Sequence, residues 1–282
     1  MGFFCKELKK EFTDKRDMFK ALKEHKDDII ALKKAAIKFT DPIGYAIREA
    51  ISAKEEEEGK APGIGDYVYP VINTTNYLDS HSDVHIDGIW DVSLKDQKGK
   101  IYYIINHDLE LGKVIAFPGN VEAYVKTMNW SELGQNYVGQ TQALIFKVKL
   151  TESSNKDALN AIINREPLEN SVRMRYISMT LCIDDSSDEY RQEYENFYKY
   201  LSVIANKDKA MEQGYFWAIT EAAIHKEGSA VLFGSNDATP ILYSDPSGDS
   251  QENKNDPPLS SQHQAVVKEK QQVKKRLIYQ MI

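Results

Sequence analysis

The sequence predicts a fold of the α+β class, and three observations support this. The range 1–54 is rich in charged residues and carries apolar residues at helical spacing. From Tyr67 onward, short β-branched and aromatic runs alternate with turn residues, which is typical of strands. A helical period returns after residue 187. We therefore expect a strand-rich core with inserted helices and with helical extensions at both ends.

The range 1–54 is predicted to be a charged helical N-terminal extension. The range 55–65 combines glutamates with glycine and proline, which favours a linker. The helical prediction rests on apolar side chains spaced to lie on one side of a helix: Leu8, Phe12, Phe19 and Leu22.

The core is predicted to span residues 66–243. Residues 188–226 carry a stripe of tyrosines and phenylalanine at helical spacing and are predicted to be helical, with a further strand over 229–233. The earlier strand candidates are apolar runs bounded by turn residues, at 68–72, 101–105, 114–117, 143–150 and 172–183.

The C-terminal part of the chain is predicted to consist of a linker and a tail. The range 244–258 is polar and contains glycine and prolines, so we expect a flexible linker. The range 259–282 has apolar residues at helical spacing and a cluster of lysines, which predicts a basic helical tail.

Composition excludes several classes of function. The 282 residues carry a net charge of −7, which argues against a specific nucleic-acid partner. No stretch approaches the ~18 apolar residues of a membrane helix, so we expect a soluble protein with no membrane partner. Two cysteines, Cys5 and Cys182, are too few for a disulfide framework and fit a reducing compartment. No cofactor is expected.

The densest group of ligand-type side chains lies between Asp79 and Asp87, and a metal-dependent hydrolase is one interpretation of it. An EF-hand loop starting at Asp83 fails because His85 stands at its third position and Leu94 at its twelfth. A zinc site would need supporting ligands that the sequence does not offer. We therefore expect a polar turn and a solvated strand face, with no metal.

Three residues with side chains that can take part in catalysis lie at the ends of predicted strands. His107 follows an apolar run, and a rigid strand end can fix an imidazole for use as a general base. Ser171 opens another strand and is not part of a Gly-x-Ser-x-Gly elbow, so the α/β-hydrolase arrangement is excluded there. Glu227 opens the strand predicted near residue 229.

Taken in order, these three segments resemble the tailed-phage prohead maturation proteases, which are relatives of the herpesvirus assemblin serine proteases. The resemblance covers residues 66–243. It rests on three motifs of this chain, namely Asn106-His107-Asp108 with Leu111-Gly112-Lys113-Val114, then Ser171-Val172-Arg173-Met174, then Glu227-Gly228-Ser229-Ala230-Val231 with Ser235-Asn236-Asp237-Ala238.

The resemblance implies a role for each of the three residues. Ser171 is implied as the nucleophile, His107 as its general base, and Glu227 as the group that orients and stabilises the imidazole. Asp108 and His225 are alternatives for the third role. The herpesvirus relatives use a second histidine there, whereas Asp108 adjoins His107 and on a strand would point to the opposite face.

The sequence does not identify the donors of an oxyanion hole, and the candidates are Arg173, Arg175 and backbone amides. The fold implied by the resemblance is a β-barrel-like core of antiparallel strands flanked by helices.

The activity implied is that of a serine endopeptidase of bacteriophage head maturation. It would cleave scaffold and capsid proteins, and its own chain, inside the assembling procapsid in the host cytoplasm. The alternative is a catalytically inactive structural or scaffold-associated head protein that keeps the same fold. The herpesvirus relatives are active as dimers, so the resemblance leaves room for a homodimer.

Overall fold

The fold contains α-helices and three β-sheets. The computed structural model describes residues 2–38, 61–236 and 238–246, and the compact unit to which they belong ends at Pro246. Its helices and strands in chain order are β1 (Phe3–Cys5), β2 (Lys10–Phe12), α1 (Lys15–Glu24), α2 (Lys26–Ala35), β3 (Tyr67–Thr74), β4 (Asp83–His85), α3 (Asp91–Asp96), β5 (Tyr102–Ile105), β6 (Val114–Ala116), β7 (Val121–Asn129), β8 (Gln140–Lys149), α4 (Lys156–Ile163), β9 (Glu169–Ile183), α5 (Arg191–Leu201), α6 (Lys207–Gln213), β10 (Tyr215–Val231) and β11 (Ile241–Leu242).

Strand β10 has partners on both edges and is the centre of a five-stranded sheet. β9 pairs antiparallel with it from Tyr215 to Val231. β4 and β5 pair parallel with β10 on the opposite edge, and β6 extends the sheet beyond β5. The expectation of a purely antiparallel core is therefore wrong. Parallel pairing is possible here because the connection between β5 and β10 contains four strands and three α-helices. This connection is far longer than the crossover that parallel strands require.

The second large sheet has four antiparallel strands in the order β11-β3-β8-β7. Together with the β1–β2 hairpin, the described strands form three separate sheets, and these do not close into a barrel. Buried side chains of β3 and β8, including Ile72 and Phe146, share one core with β9 and β10. The architecture is therefore mixed α/β, with two sheets packed face to face.

The N-terminal residues pack into this same core. α1 begins after Asp14, whose side chain caps the helix by accepting a hydrogen bond from the Arg16 N–H. Met18 and Leu22 on α1 and Ile29 on α2 are buried in the main core. Helices thus occur within the predicted extension 1–54, but its first residues form the β1–β2 hairpin. Burial of these side chains stabilises the described part of the extension against the sheets.

The helix predicted over 188–226 is wrong for its last third. Helices α5 and α6 occupy its first part, but β10 begins at Tyr215. The run Tyr215–Ile219 is buried throughout, so it lacks the alternation that marks a half-exposed strand. In the absence of alternation, only the aromatic and β-branched residues of this run indicate a strand in the sequence.

Several predictions fall on residues that the structure does not describe. They are the part of the extension 1–54 after residue 38, the part of the linker 55–65 before residue 61, the linker 244–258 beyond Pro246, and the tail 259–282. In the described ranges, no helix combines the length and the apolar character needed to cross a membrane.

Gly228 lets the two sheets approach each other closely at β10. A Cβ atom at this position would lie 2.7 Å from Cε2 of Phe146 and 2.9 Å from Cγ2 of Ile72. Successive residues of a strand face opposite sides, so Gly228 faces the core while Glu227 and Ser229 face the other side. The close packing at Gly228 therefore supports the backbone that carries those two residues.

Gly228→Ala is expected to lower the free energy of unfolding by about 1–3 kcal/mol, because the methyl group overpacks a filled core. Urea denaturation measures this change. Gly119→Ala is the matched control, since a Cβ there meets nothing within 4 Å, and we expect a change within about 0.5 kcal/mol. Equal unfolding midpoints for the two variants would contradict the close contact.

Candidate active site

A strained turn at the end of β5 places His107. Asn106 and His107 both have positive φ, 52° and 58°, in the left-handed region that non-glycine residues avoid. The three main-chain N–H groups of the turn are all bonded: Asn106 N–H donates to the Ala230 carbonyl at 3.0 Å, Asp108 N–H to the Ile105 carbonyl at 3.0 Å, and His107 N–H to Ser229 Oγ at 2.9 Å. Surrounding contacts thus hold two consecutive residues in a conformation that is uncommon outside glycine.

The imidazole of His107 is paired with a fully buried carboxylate. Nδ1 of His107 lies 2.7 Å from Oε1 of Glu227, which has 0% exposure. The other carboxylate oxygen, Oε2, accepts a hydrogen bond from the Ser229 hydroxyl at 2.7 Å. Both oxygens of Glu227 therefore have partners, as a buried charge requires. The contact at Nδ1 fixes the orientation of the imidazole ring against Glu227.

The register of β9 brings Ser171 to the same face of the sheet. Ser171 is directly opposite Ser229 across the β9–β10 pair. Side chains of directly opposed residues lie on one face with Cβ atoms roughly 4.5–5.5 Å apart. Ser229 binds both His107 and Glu227, so Ser171 is placed beside the His107–Glu227 pair. His107 and Glu227, 120 positions apart in sequence, are in direct contact, and the register places Ser171, which keeps 8% exposure, on the same face of the sheet as Glu227.

Arg173 contacts this site from two residues further along β9. Its Nη1 donates to the main-chain carbonyl of His107 at 3.3 Å. Arg173 is half-buried, whereas Arg175 is exposed. Of the two arginines considered for an oxyanion hole, Arg173 is thus the one that holds the turn carrying His107. The structure assigns neither to an oxyanion.

The two alternatives for the third role occupy different positions. Asp108 is half-buried at the turn, and its N–H caps the end of β5. His225 lines a separate apolar cavity, and its pKa is lowered by burial and then by the positive charges of Arg173, Arg175 and Lys226. Glu227 is the residue of the three that is placed at Nδ1 of His107.

Two cavities border the site on different sides. A small cavity of about 50 Å³ is lined by Ser171 together with Val172, Met174 and Lys38. A larger, mostly apolar cavity of about 450 Å³ lies against Glu227 and His225, and Ser171 is not among its lining residues. Of these two cavities, the small one is therefore the one that borders Ser171.

The loop after β10 closes one wall of the small cavity. Asn236 lines it, and its Nδ2 donates to the carbonyl and the hydroxyl oxygens of Thr74 at 3.1 and 2.8 Å. Its Oδ1 accepts from the Ala238 N–H at 3.0 Å. The Asn-x-Ala segment of the third motif therefore ties the loop to β3.

Asp79, Asp83 and His85 of the Asp79–Asp87 cluster are buried, so the expected solvated strand face is wrong for these three, whereas Asp87 is exposed. Asp83 has 1% exposure, and it is paired with Lys33 Nζ and accepts from the Tyr176 hydroxyl at 2.8 Å. His85 is also buried, with Nδ1 against the Asn73 side chain and Nε2 3.3 Å from the Tyr176 hydroxyl. In the described ranges, no three His, Cys, Asp or Glu side chains are grouped so as to hold a metal ion.

Lys33 from α2 is the main cation that balances this cluster. Burial alone would lower the pKa of Lys33, but the carboxylates of Asp83 and Glu7 outweigh it and keep that pKa above its usual value. Burial likewise would raise the pKa of Asp83, and Lys33 and Lys38 hold it below its usual value. Glu7 also accepts from Trp217 Nε1 at 3.0 Å. The network thus links the N-terminal segment to both β4 and β10.

Sequence reasoning missed two contributors to this region. Ser229 stands two residues after Glu227, so a strand places both on one face, and that spacing was a usable signal. Lys33 carried no such signal, because a lysine between Leu32 and Lys34 on an amphipathic helix is indistinguishable from a solvated one in the sequence.

Comparison of the chain with protein-family models, with curated proteins and with solved structures finds no match, so the family resemblance rests on the residues quoted above.

Proposed function

We propose that this chain is a serine endopeptidase of the prohead maturation type. The observation that supports this most directly is the buried His107–Glu227 pair, 2.7 Å between Nδ1 and Oε1, with Ser171 in register beside it. A serine hydroxyl is a weak nucleophile until an adjacent base accepts its proton, and the base needs an acceptor on its other nitrogen. Glu227 fits the role of the acceptor at Nδ1 of His107, and the position of Ser171 fits a serine whose proton His107 would accept.

In the proposed reaction, Oγ of Ser171 attacks the carbonyl carbon of the scissile peptide bond and its proton passes to Nε2 of His107. Glu227 stabilises the imidazolium that forms. The intermediate collapses as the carbon–nitrogen bond breaks, and His107 returns the proton to the leaving amine. Water then releases the acyl group from Ser171 by the same steps.

Ser229 has a positioning role in this proposal. Its hydroxyl accepts from the His107 N–H and donates to Glu227, so one side chain fixes the backbone of the base and the carboxylate of the third residue. It is fully buried and paired with both groups, which makes it a poor candidate for the nucleophile compared with Ser171 at the cavity.

The substrates, place of action and self-cleavage come from the resemblance and belong to the same proposal. The chain would cut scaffold and capsid protein segments, and itself, inside a procapsid in the host cytoplasm. The two ends of the chain would help to hold it in the shell, and a homodimer is compatible with this role.

Labelling with a fluorophosphonate tests the proposed nucleophile directly. An activated serine oxygen attacks phosphorus, fluoride leaves, and the base takes the proton. We expect one covalent adduct on the unmodified chain, located on Ser171 by peptide mass spectrometry, and a large loss of labelling in His107→Ala. An adduct on another serine would overturn the assignment of Ser171. A folded chain that takes no label would favour the inactive structural role.

A further inference from the structure

The outer edge of β9 next to Ser171 carries a short main-chain pairing. β10 occupies one edge of β9, and in the described residues the other edge is paired only at Met174, with Lys38. The pairing is antiparallel and reciprocal: Lys38 N–H donates to the Met174 carbonyl at 2.7 Å, and Met174 N–H donates to the Lys38 carbonyl at 2.9 Å. A segment of this chain therefore already occupies a strand position on that edge.

The segment that makes this pairing is extended and comes from the end of α2. α2 ends at Ala35, and Ala36 has φ −72° and ψ 138°, which is strand-like backbone. The Lys38 side chain adds two contacts, since Nζ lies 4.0 Å from Asp83 Oδ2 and 5.3 Å from the centre of the Tyr176 ring. The buried polar cluster thus fixes the place at which the segment meets β9.

The paired position is close to Ser171 along the strand. Met174 and Ser171 are three residues apart on β9, which is about 10 Å at the rise of a strand. Backbone groups alternate between the two edges, so the N–H and C=O of Val172 face the same edge as those of Met174. The small cavity runs along this edge, with Lys38, Met174, Val172 and Ser171 among its lining residues.

We propose that residues 36–38 compete with extended peptides for this edge of β9. While these residues are paired there, a peptide cannot add to β9 as an antiparallel strand. A peptide added in the register of Lys38 would run directly to Ser171, and the main-chain hydrogen bonds it needs at Met174 are those that Lys38 now makes. The inference deepens the proposed function, because it names a contact that would limit access to Ser171. Release of Lys38 from β9 would then activate the site.

The test measures binding of a dye-labelled peptide with the sequence of residues 34–45 by fluorescence anisotropy. All proteins carry Ser171→Ala, so cleavage does not interfere. Lys38→Pro removes the N–H that donates to Met174, and we expect the peptide to bind about tenfold tighter or more, since the edge is then free in a larger fraction of molecules. Lys38→Ala is the matched control. It loses the side-chain contacts and keeps the main-chain pairing, so we expect a smaller gain.

A second probe tests the main-chain contact itself. The second probe is the same peptide with a methyl group on the main-chain nitrogen of the residue that corresponds to Lys38, so it cannot donate the hydrogen bond to Met174. It should bind the Lys38→Pro protein at least tenfold more weakly than the parent peptide does. Equal binding of the two peptides, or equal affinity of the parent peptide for Lys38→Pro and Lys38→Ala, would overturn the inference.

Hydrogen exchange covers the case in which Lys38→Pro does not fold. On the Ser171→Ala protein alone, saturating peptide should displace residues 36–38 and raise deuterium uptake there. Unchanged uptake would also overturn the inference. A failure here is distinguishable from a failure of the proposed function, because labelling of Ser171 is measured without any peptide, and peptide binding is measured without the Ser171 hydroxyl.

Discussion

Ser171→Ala and His107→Ala are each expected to reduce the rate of self-cleavage by about 10⁴-fold or more. In the proposed reaction, the first change removes the attacking oxygen and the second removes the base that takes its proton, so either change would disable the same step. Because the two groups act as a unit, the double variant should be no slower than either single variant. Mass spectrometry of the purified chain over time measures the products, and the Ser171→Ala chain also serves as an uncut substrate for the unmodified protein.

The matched control for this prediction is Ser178→Ala. Ser178 is a partly buried serine on the same strand, β9, where its hydroxyl is 3.0 Å from that of Thr220. Its replacement should leave the rate of self-cleavage within about twofold, in line with the small effects of changes away from special sites. The same products appearing at the same rate in Ser171→Ala would exclude Ser171 as the nucleophile.

Lys33→Met is expected to lower the free energy of unfolding by about 3–5 kcal/mol, the largest effect on stability that we expect. Lys33 is buried and paired with Asp83 and with Glu7, the latter at 3.2 Å. Removing it leaves buried carboxylates without their main counter-charge, which is the costly way to break a buried ion pair. Urea denaturation followed by the fluorescence of the buried tryptophans measures the change.

The direction of the pH dependence gives this prediction a second check. In the unmodified protein the pKa of Asp83 is lowered, so its contribution to stability is present above its unfolded pKa and is lost as pH falls through the folded one. Without Lys33, burial is opposed by the weaker contribution of Lys38, so we expect the pKa of Asp83 to rise and protonation to remove the poorly paired charge. The cost of Lys33→Met should therefore shrink as the pH is lowered.

Two further variants separate charge pairing from simple packing. Adding Asp83→Asn to Lys33→Met removes the unpaired charge and should recover a large part of the lost stability. Lys34→Met changes the neighbouring, half-buried lysine of α2 and should alter the free energy of unfolding by no more than about 0.5 kcal/mol. A similar loss for the two methionine variants would show that the Asp83 pair is not the cause.

The sequence located the candidate site better than it predicted the sheet around it. His107, Ser171 and Glu227 were predicted from their positions at strand ends together with the family resemblance, and their catalytic roles stay a prediction. Their proximity was not visible, since it depends on the register of β9 and β10 and on two left-handed residues at the turn. Sequence patterns carry no information about which strands pair, and the parallel pairing of β5 with β10 followed no local signal.

Burial of charge was the second thing that the sequence could not show. The acidic residues near Asp83 were expected to be solvated because charged side chains are rarely buried unless they are paired. Their partner, Lys33, comes from a helix 50 residues away. The long buried strand β10 was missed for a related reason, since burial on both faces removes the periodicity from which strands are recognised.

Packing of the N-terminal segment on the main core has a consequence for any cut made between residues 39 and 60. Residues before the cut would stay attached through Met18, Leu22 and Ile29 in the core and through Lys33 in its ion pair. The product would be a two-chain protein of nearly unchanged mass under native conditions, separable only by a denaturant. A cut there would free the end of the segment that now pairs with β9 while leaving its helices in place.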